Sequence, residues 1–212
     1  MLFVGDYMDM LPINEMFISF QGEGPFVGTP AYFIRVSGCN CNCDFCDTDF
    51  KNYELRDIED ILLDIWDNYH YNGIKNIIFT GGEPTLYYEQ IQFIIDEIKE
   101  FEPLIRFHIE SNGLNNIYFN NAYNIISPKK DIKNVFKKYY KCNNVYFKFV
   151  ITSQEDIDNV IYLKEKYNYD RIIYLQPESS NATEITNLII ENFKNIDNIK
   201  ISIQSHKFVG AR

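Results

Sequence analysis

Residues 31–36 form a short apolar run that stops at Ser37 and Gly38, a pattern that predicts a strand feeding a cysteine-rich loop. Beyond that loop Ile58, Ile61, Leu62, Ile65, Trp66 and Tyr69 recur at spacings of three and four, with acidic residues between them. That is one apolar face of a helix. Residues 75–80 predict a second strand, halted by Gly81 and Gly82, and Tyr87, Ile91, Ile94, Ile95 and Ile98 make a second helical stripe. Strands follow near residues 105–110, 123–127 and 145–151, with a charged helix over 131–139 before the last of these. Ser153 and Asp156 suit the cap of a helix whose apolar positions are Ile157, Val160 and Ile161. A strand at 171–175, a helix over 183–193 and a strand at 199–204 complete the series.

Strand and helix alternate with short connections, so the predicted class is α/β with a mainly parallel sheet, because each parallel return needs a crossover. The strand-helix units fall short of the eight of a complete barrel. An open or partial barrel is expected, a (β/α)6 arrangement with trimmed helices. Polar punctuation at 38–49, 81–84, 110–113, 127–129 and 176–178 follows strand ends, where such folds carry function.

Composition narrows the classes. A chain of 212 residues, 46% hydrophobic and 24% charged, suits one globular domain over residues 1–212. Within it, 13–30 reads as an N-terminal substrate-binding segment and 196–212 as a C-terminal strand and cap. A net charge of −10 disfavours direct contact with nucleic acid. The start, MLFVGDYMDM, has no basic n-region and long apolar core, and the chain has no uncharged membrane-length run, so a cytoplasmic protein without membrane association is expected.

Four of the five cysteines, Cys39, Cys41, Cys43 and Cys46, lie within eight residues. Such crowding suits one metal centre better than a disulfide framework, and soft thiolates favour an iron-sulfur cluster or zinc. Structural zinc would normally need a fourth ligand, and Cys41 could supply it. If Cys39, Cys43 and Cys46 alone hold a cubane, one iron has no protein ligand and is open to a small molecule. Cys142 reads as a spare thiol.

The Cys-x3-Cys-x2-Cys spacing resembles that of the radical S-adenosylmethionine enzymes. In that likeness Cys39, Cys43 and Cys46 hold one 4Fe-4S cluster whose open iron is chelated by S-adenosylmethionine, and the barrel is of the same type. Thr80-Gly81-Gly82-Glu83-Pro84 resembles the superfamily's methionine-binding segment. Two glycines let backbone approach a ligand, and Glu83 can orient the turn or accept a charged donor.

A narrower resemblance, to the 7-carboxy-7-deazaguanine synthase family, rests on motifs along nearly the whole chain. They are Phe20-Gln21-Gly22-Glu23-Gly24, the stretch from Phe33 to Asn40, Cys46-Asp47-Thr48, Glu110-Ser111-Asn112-Gly113, Ser127-Pro128-Lys129, Gln176-Pro177 and Gln204-Ser205-His206-Lys207. The likeness implies a carbon-nitrogen lyase of queuosine or related 7-deazapurine biosynthesis. Such an enzyme converts 6-carboxy-5,6,7,8-tetrahydropterin to 7-carboxy-7-deazaguanine by radical hydrogen abstraction and ring contraction, with loss of ammonia. The radical chemistry belongs to the cluster and cofactor, so no side chain is assigned a catalytic step.

The same likeness implies substrate contacts from Gln21, Gly22, Glu23, Arg35, His206 and Lys207. Arg35 would take the substrate carboxylate in a fork, and Gln21 and Glu23 the amide and guanidine-like edge. Contacts to S-adenosylmethionine are expected from Gly82, Glu83, Ser111, Asn112, Ser127 and Gln176. Thr48 would help bind Mg2+, a hard ion that prefers oxygen. Cys41, where the family commonly has an apolar residue, would point away from the cluster as a small hydrophobe. The implied partners are a one-electron donor such as flavodoxin or ferredoxin and a second copy in a homodimer, and Arg212 would bring a terminal carboxylate near the site. Another radical enzyme, such as a protein-activating one, and a zinc-stabilised binding protein are the rival readings.

Overall fold

The protein is described from a computed structural model covering residues 9–43, 46, 52–194 and 198–210. Its contacts divide it into two compact units. One comprises the chain up to Phe20, Thr29–Ser111 and Ile117–Asn124; the other comprises Gln21–Gly28, Asn112–Asn116 and the chain from Ile125.

The first unit opens with β1 (Met10–Phe20), followed by β2 (Pro30–Val36) and the short β3 (Glu54–Asp57). Then come α1 (Ile58–Asn72), β4 (Asn76–Gly81), α2 (Tyr88–Phe101) and β5 (Arg106–Ser111). Their strand order is β3-β1-β2-β4-β5. β1 pairs antiparallel with β2 and β3, whereas β2, β4 and β5 run parallel. The near-continuous apolar run of β4 is what a parallel strand covered on both faces requires.

α1 begins where the Asp57 carboxylate accepts the Glu59 N–H at 2.8 Å. It ends at Gly73, whose φ of 68° is the left-handed cap conformation that glycine adopts without steric cost. Its apolar face buries Ile58, Ile61 and Ile65, and α2 buries Ile91, Ile94, Ile95 and Ile98. These pack with Ile34, Ile77, Phe79 and Phe107 in one core, each full burial contributing about 2 kcal/mol of transfer free energy.

The strand β6 (Ala122–Ile126) is divided between the units at Asn124 and Ile125. The second unit continues through α3 (Ile132–Tyr139), β7 (Val145–Ile151), α4 (Gln154–Lys166), β8 (Ile173–Pro177), α5 (Ala182–Phe193), β9 (Ile199–Ile201) and α6 (Ser205–Val209). β7, β8 and β9 are parallel neighbours in that order. Phe136 centres their core, 4.4 Å from the Phe147 ring and edge-on to Tyr169. At α4 the Asp156 carboxylate accepts the Ser153 N–H at 3.1 Å, as the expected cap pair requires.

The predicted strands and helices from residue 31 onward are present, with β3 and α6 as additions among them, and β1 is an addition before them. The last strand stops at Ile201 rather than running to 204: Ser202 makes one more ladder bond, to the Leu175 carbonyl at 2.7 Å, while its hydroxyl accepts the Gly24 N–H at 2.8 Å and the chain turns into α6. No helix among the described residues is long and apolar enough to cross a membrane.

Candidate active site

In the first unit β2 delivers the chain to Ser37, Gly38 and Cys39, and the turn after β4 closes over that delivery. The Gly82 N–H donates to the Val36 carbonyl at 3.0 Å and the Glu83 N–H to the Gly38 carbonyl at 2.9 Å. A Cβ on residue 82 would lie 1.8 Å from the Gly38 oxygen, so only glycine lets the two backbones meet. The Tyr87 hydroxyl adds a bond to the Ser37 carbonyl at 2.9 Å.

Glu83 is fully buried, and its carboxylate accepts from the Thr85 N–H at 3.1 Å, the Thr85 hydroxyl at 2.6 Å and the Ser111 hydroxyl at 2.8 Å. Two residues expected at the cofactor are therefore bonded to each other, and Glu83 fixes the turn from within. These bonds bring Gly82, Glu83 and Ser111 together beside Gly38, and the Cys39 nitrogen lies 3.1 Å from where a Cβ on residue 82 would stand.

The cysteine loop itself is partly open. Cys39, Cys41 and Cys43 are half-buried and Cys46 is exposed. The Cys41 N–H donates to Cys39 Sγ at 3.3 Å, and the Cys46 N–H to the Cys43 carbonyl at 3.1 Å. Burial pushes the Cys39 thiol up against the opposing pull of the Cys41 N–H. Among the described residues no three His, Cys, Asp or Glu side chains converge as a metal site. Thr48, Asp47 and Arg212 lie outside the described residues.

Arg35, one residue before the end of β2, donates from Nε to Glu15 Oε1 at 2.9 Å, opposite it in the β1 register. The pair is about a fifth to a quarter exposed. Arg35 is thus held by a structural ion pair, and the fork expected at a substrate carboxylate is anchored through its Nε.

In the second unit the Gln21–Gly24 loop is clasped by the C-terminal segment. The Ser205 N–H and hydroxyl donate to the Gly22 carbonyl at 3.0 and 3.1 Å. Gln21 Oε1 accepts the Glu23 N–H at 3.1 Å. His206 lies against Gly22 so closely that a Cβ there would meet Nδ1 at 2.0 Å. Gln204 Nε2 donates to Glu23 Oε1 at 2.8 Å, and Lys148 Nζ forms an ion pair with Glu23 Oε2. Burial would raise the Glu23 carboxyl, but the Lys148 charge and hydrogen bond, the Gln204 bond and the His206 charge together bring it down to about 2.

Gln21, Gly22, Glu23 and His206 therefore lie together, while Lys207 is an exposed residue of the helix that carries His206. Asn112 Oδ1 accepts the Leu114 N–H at 2.9 Å, closing a local turn, and Lys129 donates to the Ser127 hydroxyl at 3.0 Å. Gln176, at the end of β8, is only 7% exposed, and its Oε1 has no hydrogen-bond partner among the described residues. Sequence reasoning missed Lys148. Its signal was a single lysine in the otherwise apolar and aromatic strand Val145–Ile151.

A model of the Radical SAM superfamily matches residues 33–117, the stretch holding the three spaced cysteines and the Gly-Gly-Glu-Pro turn. The solved structure of QueE from Escherichia coli shares the fold, with a TM-score of 0.69 at 24% identity over 95% of this chain and 96% of that one. Fold and loop together define a radical S-adenosylmethionine protein with a mainly parallel, partial-barrel α/β architecture.

A 7-carboxy-7-deazaguanine synthase from Buchnera aphidicola subsp. Schizaphis graminum is 32% identical, covering 95% of this chain and 99% of its own. One from Bacteroides thetaiotaomicron is 32% identical over 96% of this chain and all of its own. The chain belongs to the 7-carboxy-7-deazaguanine synthase family.

Proposed function

We infer that the chain is a radical S-adenosylmethionine lyase that converts 6-carboxy-5,6,7,8-tetrahydropterin to 7-carboxy-7-deazaguanine with release of ammonia. Whole-length family membership supports the reaction. The observation that carries it to this chain's own residues is the clasped Gln21–Glu23 loop with its ionised carboxylate.

The residues suit the cofactors this reaction needs. Three soft thiolates at Cys39, Cys43 and Cys46 match an iron-sulfur cluster. The Gly82 backbone, packed where a Cβ would collide with Gly38, holds its turn against the start of the cysteine loop, and Gln176 Oε1, without a hydrogen-bond partner among the described residues, offers a buried acceptor. Held there, cluster and cofactor would supply the radical chemistry of hydrogen abstraction.

The chain's own groups recognise and hold the substrate. Glu23, fixed as an anion, accepts N–H groups of the aminopyrimidine edge, and Gln21 offers both a donor and an acceptor beside it. Gly22 leaves room for the His206 ring beside the loop. Arg35 meets the substrate carboxylate with its remaining guanidinium N–H groups, while Glu15 sets its orientation. Within the first unit Gly82 and Ser111 are read as contacts of S-adenosylmethionine, with Glu83 holding their turn from within, and within the second Asn112, Ser127 and Gln176 are read likewise; Lys207 extends the substrate edge, and Thr48 provides oxygen for Mg2+. A flavodoxin or ferredoxin supplies electrons to a homodimer in the cytoplasm.

Anaerobically reconstituted protein, given S-adenosylmethionine, a reductant and 6-carboxytetrahydropterin, is expected to yield 7-carboxy-7-deazaguanine and ammonia in equal amounts. Cleavage of S-adenosylmethionine without deazaguanine would leave the superfamily chemistry standing and remove the substrate assignment.

A further inference from the structure

Lys148 is the least ordinary residue of β7. It stands among Phe147, Phe149 and Ile151, its side chain is 8% exposed, and it meets a carboxylate 125 positions away in sequence. Burying an ammonium is costly unless a partner compensates, and that partner, Glu23, belongs to the loop read as binding the substrate heterocycle. The loop is also pinned to β7 through Phe26, whose ring meets Tyr146 edge-on at 6.0 Å.

We propose that Lys148 is a positioning residue for substrate recognition, holding the Glu23 carboxylate charged and in one orientation so that it accepts hydrogen bonds from the pterin's N–H edge. This rests on the reading of Gln21–Glu23 as the heterocycle-binding segment. The two carboxylate oxygens are held from different elements, Oε2 by Lys148 of β7 and Oε1 by Gln204 next to α6. Rotation of the carboxylate would break both bonds. Each oxygen retains a further lone pair for a ligand. Among the described residues the charged or titratable groups facing Glu23 are Lys148 and, from α6, His206; Gln204 contributes a neutral amide. Lys148 thus supplies the fixed positive charge of the site.

Without that charge the buried carboxyl would take up a proton as the pH falls, and one of its oxygens would become a donor facing other donors. The loss is specific to substrate binding, because an acceptor for the ligand's N–H groups is what disappears.

The test measures KM and kcat for 6-carboxytetrahydropterin in reconstituted wild type, E23Q, K148M, K148R and the double variant E23Q/K148M, across pH. E23Q is expected to raise KM roughly tenfold to a hundredfold, the range for a lost hydrogen bond to a charged group. K148M should raise KM to a similar extent with a smaller change in kcat, and the rise should grow as pH falls. K148R should restore most of the affinity. If K148M does not fold with its unpaired carboxylate, the double variant decides: its KM should match that of E23Q alone. An unchanged KM in E23Q would overturn the substrate reading of the segment and the proposal with it. A raised KM in E23Q beside a wild-type pH profile in K148M would overturn the proposal alone. So would a double variant far worse than E23Q.

Discussion

At the scale of residues, Glu83 and His108 make the sharpest claims. Glu83→Ala would strand the Thr85 N–H and the hydroxyls of Thr85 and Ser111 inside the protein. It should cost about 3 kcal/mol in denaturant unfolding, whereas Ser111→Ala should cost about 1. His108 is fully buried, with Nε2 3.3 Å from Asn76 Oδ1. Burial, and then repulsion from Arg106, lower its imidazole from 6.5 to about 3. A depressed value means that the unfolded chain takes up the proton first. The neutral ring's stabilisation is complete above pH 6.5 and is lost as the pH falls towards 3, with a slope approaching about 1.4 kcal/mol per pH unit. Unfolding of His108→Gln, measured between pH 4 and 8, should lack that part of the wild-type slope. The sequence exposed the candidate residues through their motifs, yet it could not reveal that Glu83 directs Oε1 to Thr85 of its own turn and to Ser111 of β5. Nor could it pair Lys148 with Glu23, because no local pattern links a strand lysine to a loop carboxylate so far away.

At the scale of elements, the Gly81–Pro84 turn matters because of what it presses against. Gly82→Ala would set a methyl group against the Gly38 carbonyl, with backbone on both sides and no flexible side chain to yield. The expected outcome is a displaced cysteine loop and clearly lower iron content per chain after anaerobic reconstitution. Capping of α4 makes a smaller claim. Asp156 accepts from the Thr152 N–H and hydroxyl, both at 2.8 Å, and from the Ser153 N–H, so Asp156→Ala should cost about 1 kcal/mol in thermal unfolding. The helices and parallel strands were legible because each buries a long periodic face. β1 was not, since its register shifts between Ile13 and Glu15 and its alternation lapses over residues 14–17. β3 is four mainly polar residues that become a strand only by pairing with β1. α6 is short, and the apolar Ile199, Ile201 and Ile203 before it imitate a longer strand.

At the scale of the molecule, the motifs that carry chemistry lie in both compact units: the cysteine loop and its Gly-Gly-Glu-Pro clamp in one, the clasped Gln21–Gly24 loop in the other. Both are expected to act in the proposed reaction, in which Cys39, Cys43 and Cys46 would hold a cluster with one iron left open. Electron paramagnetic resonance of reduced, anaerobically reconstituted protein, recorded before and after adding S-adenosylmethionine, tests that centre most directly. The expected result is a reduced 4Fe-4S signal that changes when S-adenosylmethionine binds, persists in Cys41→Ala and Cys142→Ala, and disappears in alanine variants of Cys39, Cys43 or Cys46. Stoichiometric zinc with no reducible iron, or a signal lost equally in Cys41→Ala, would contradict it.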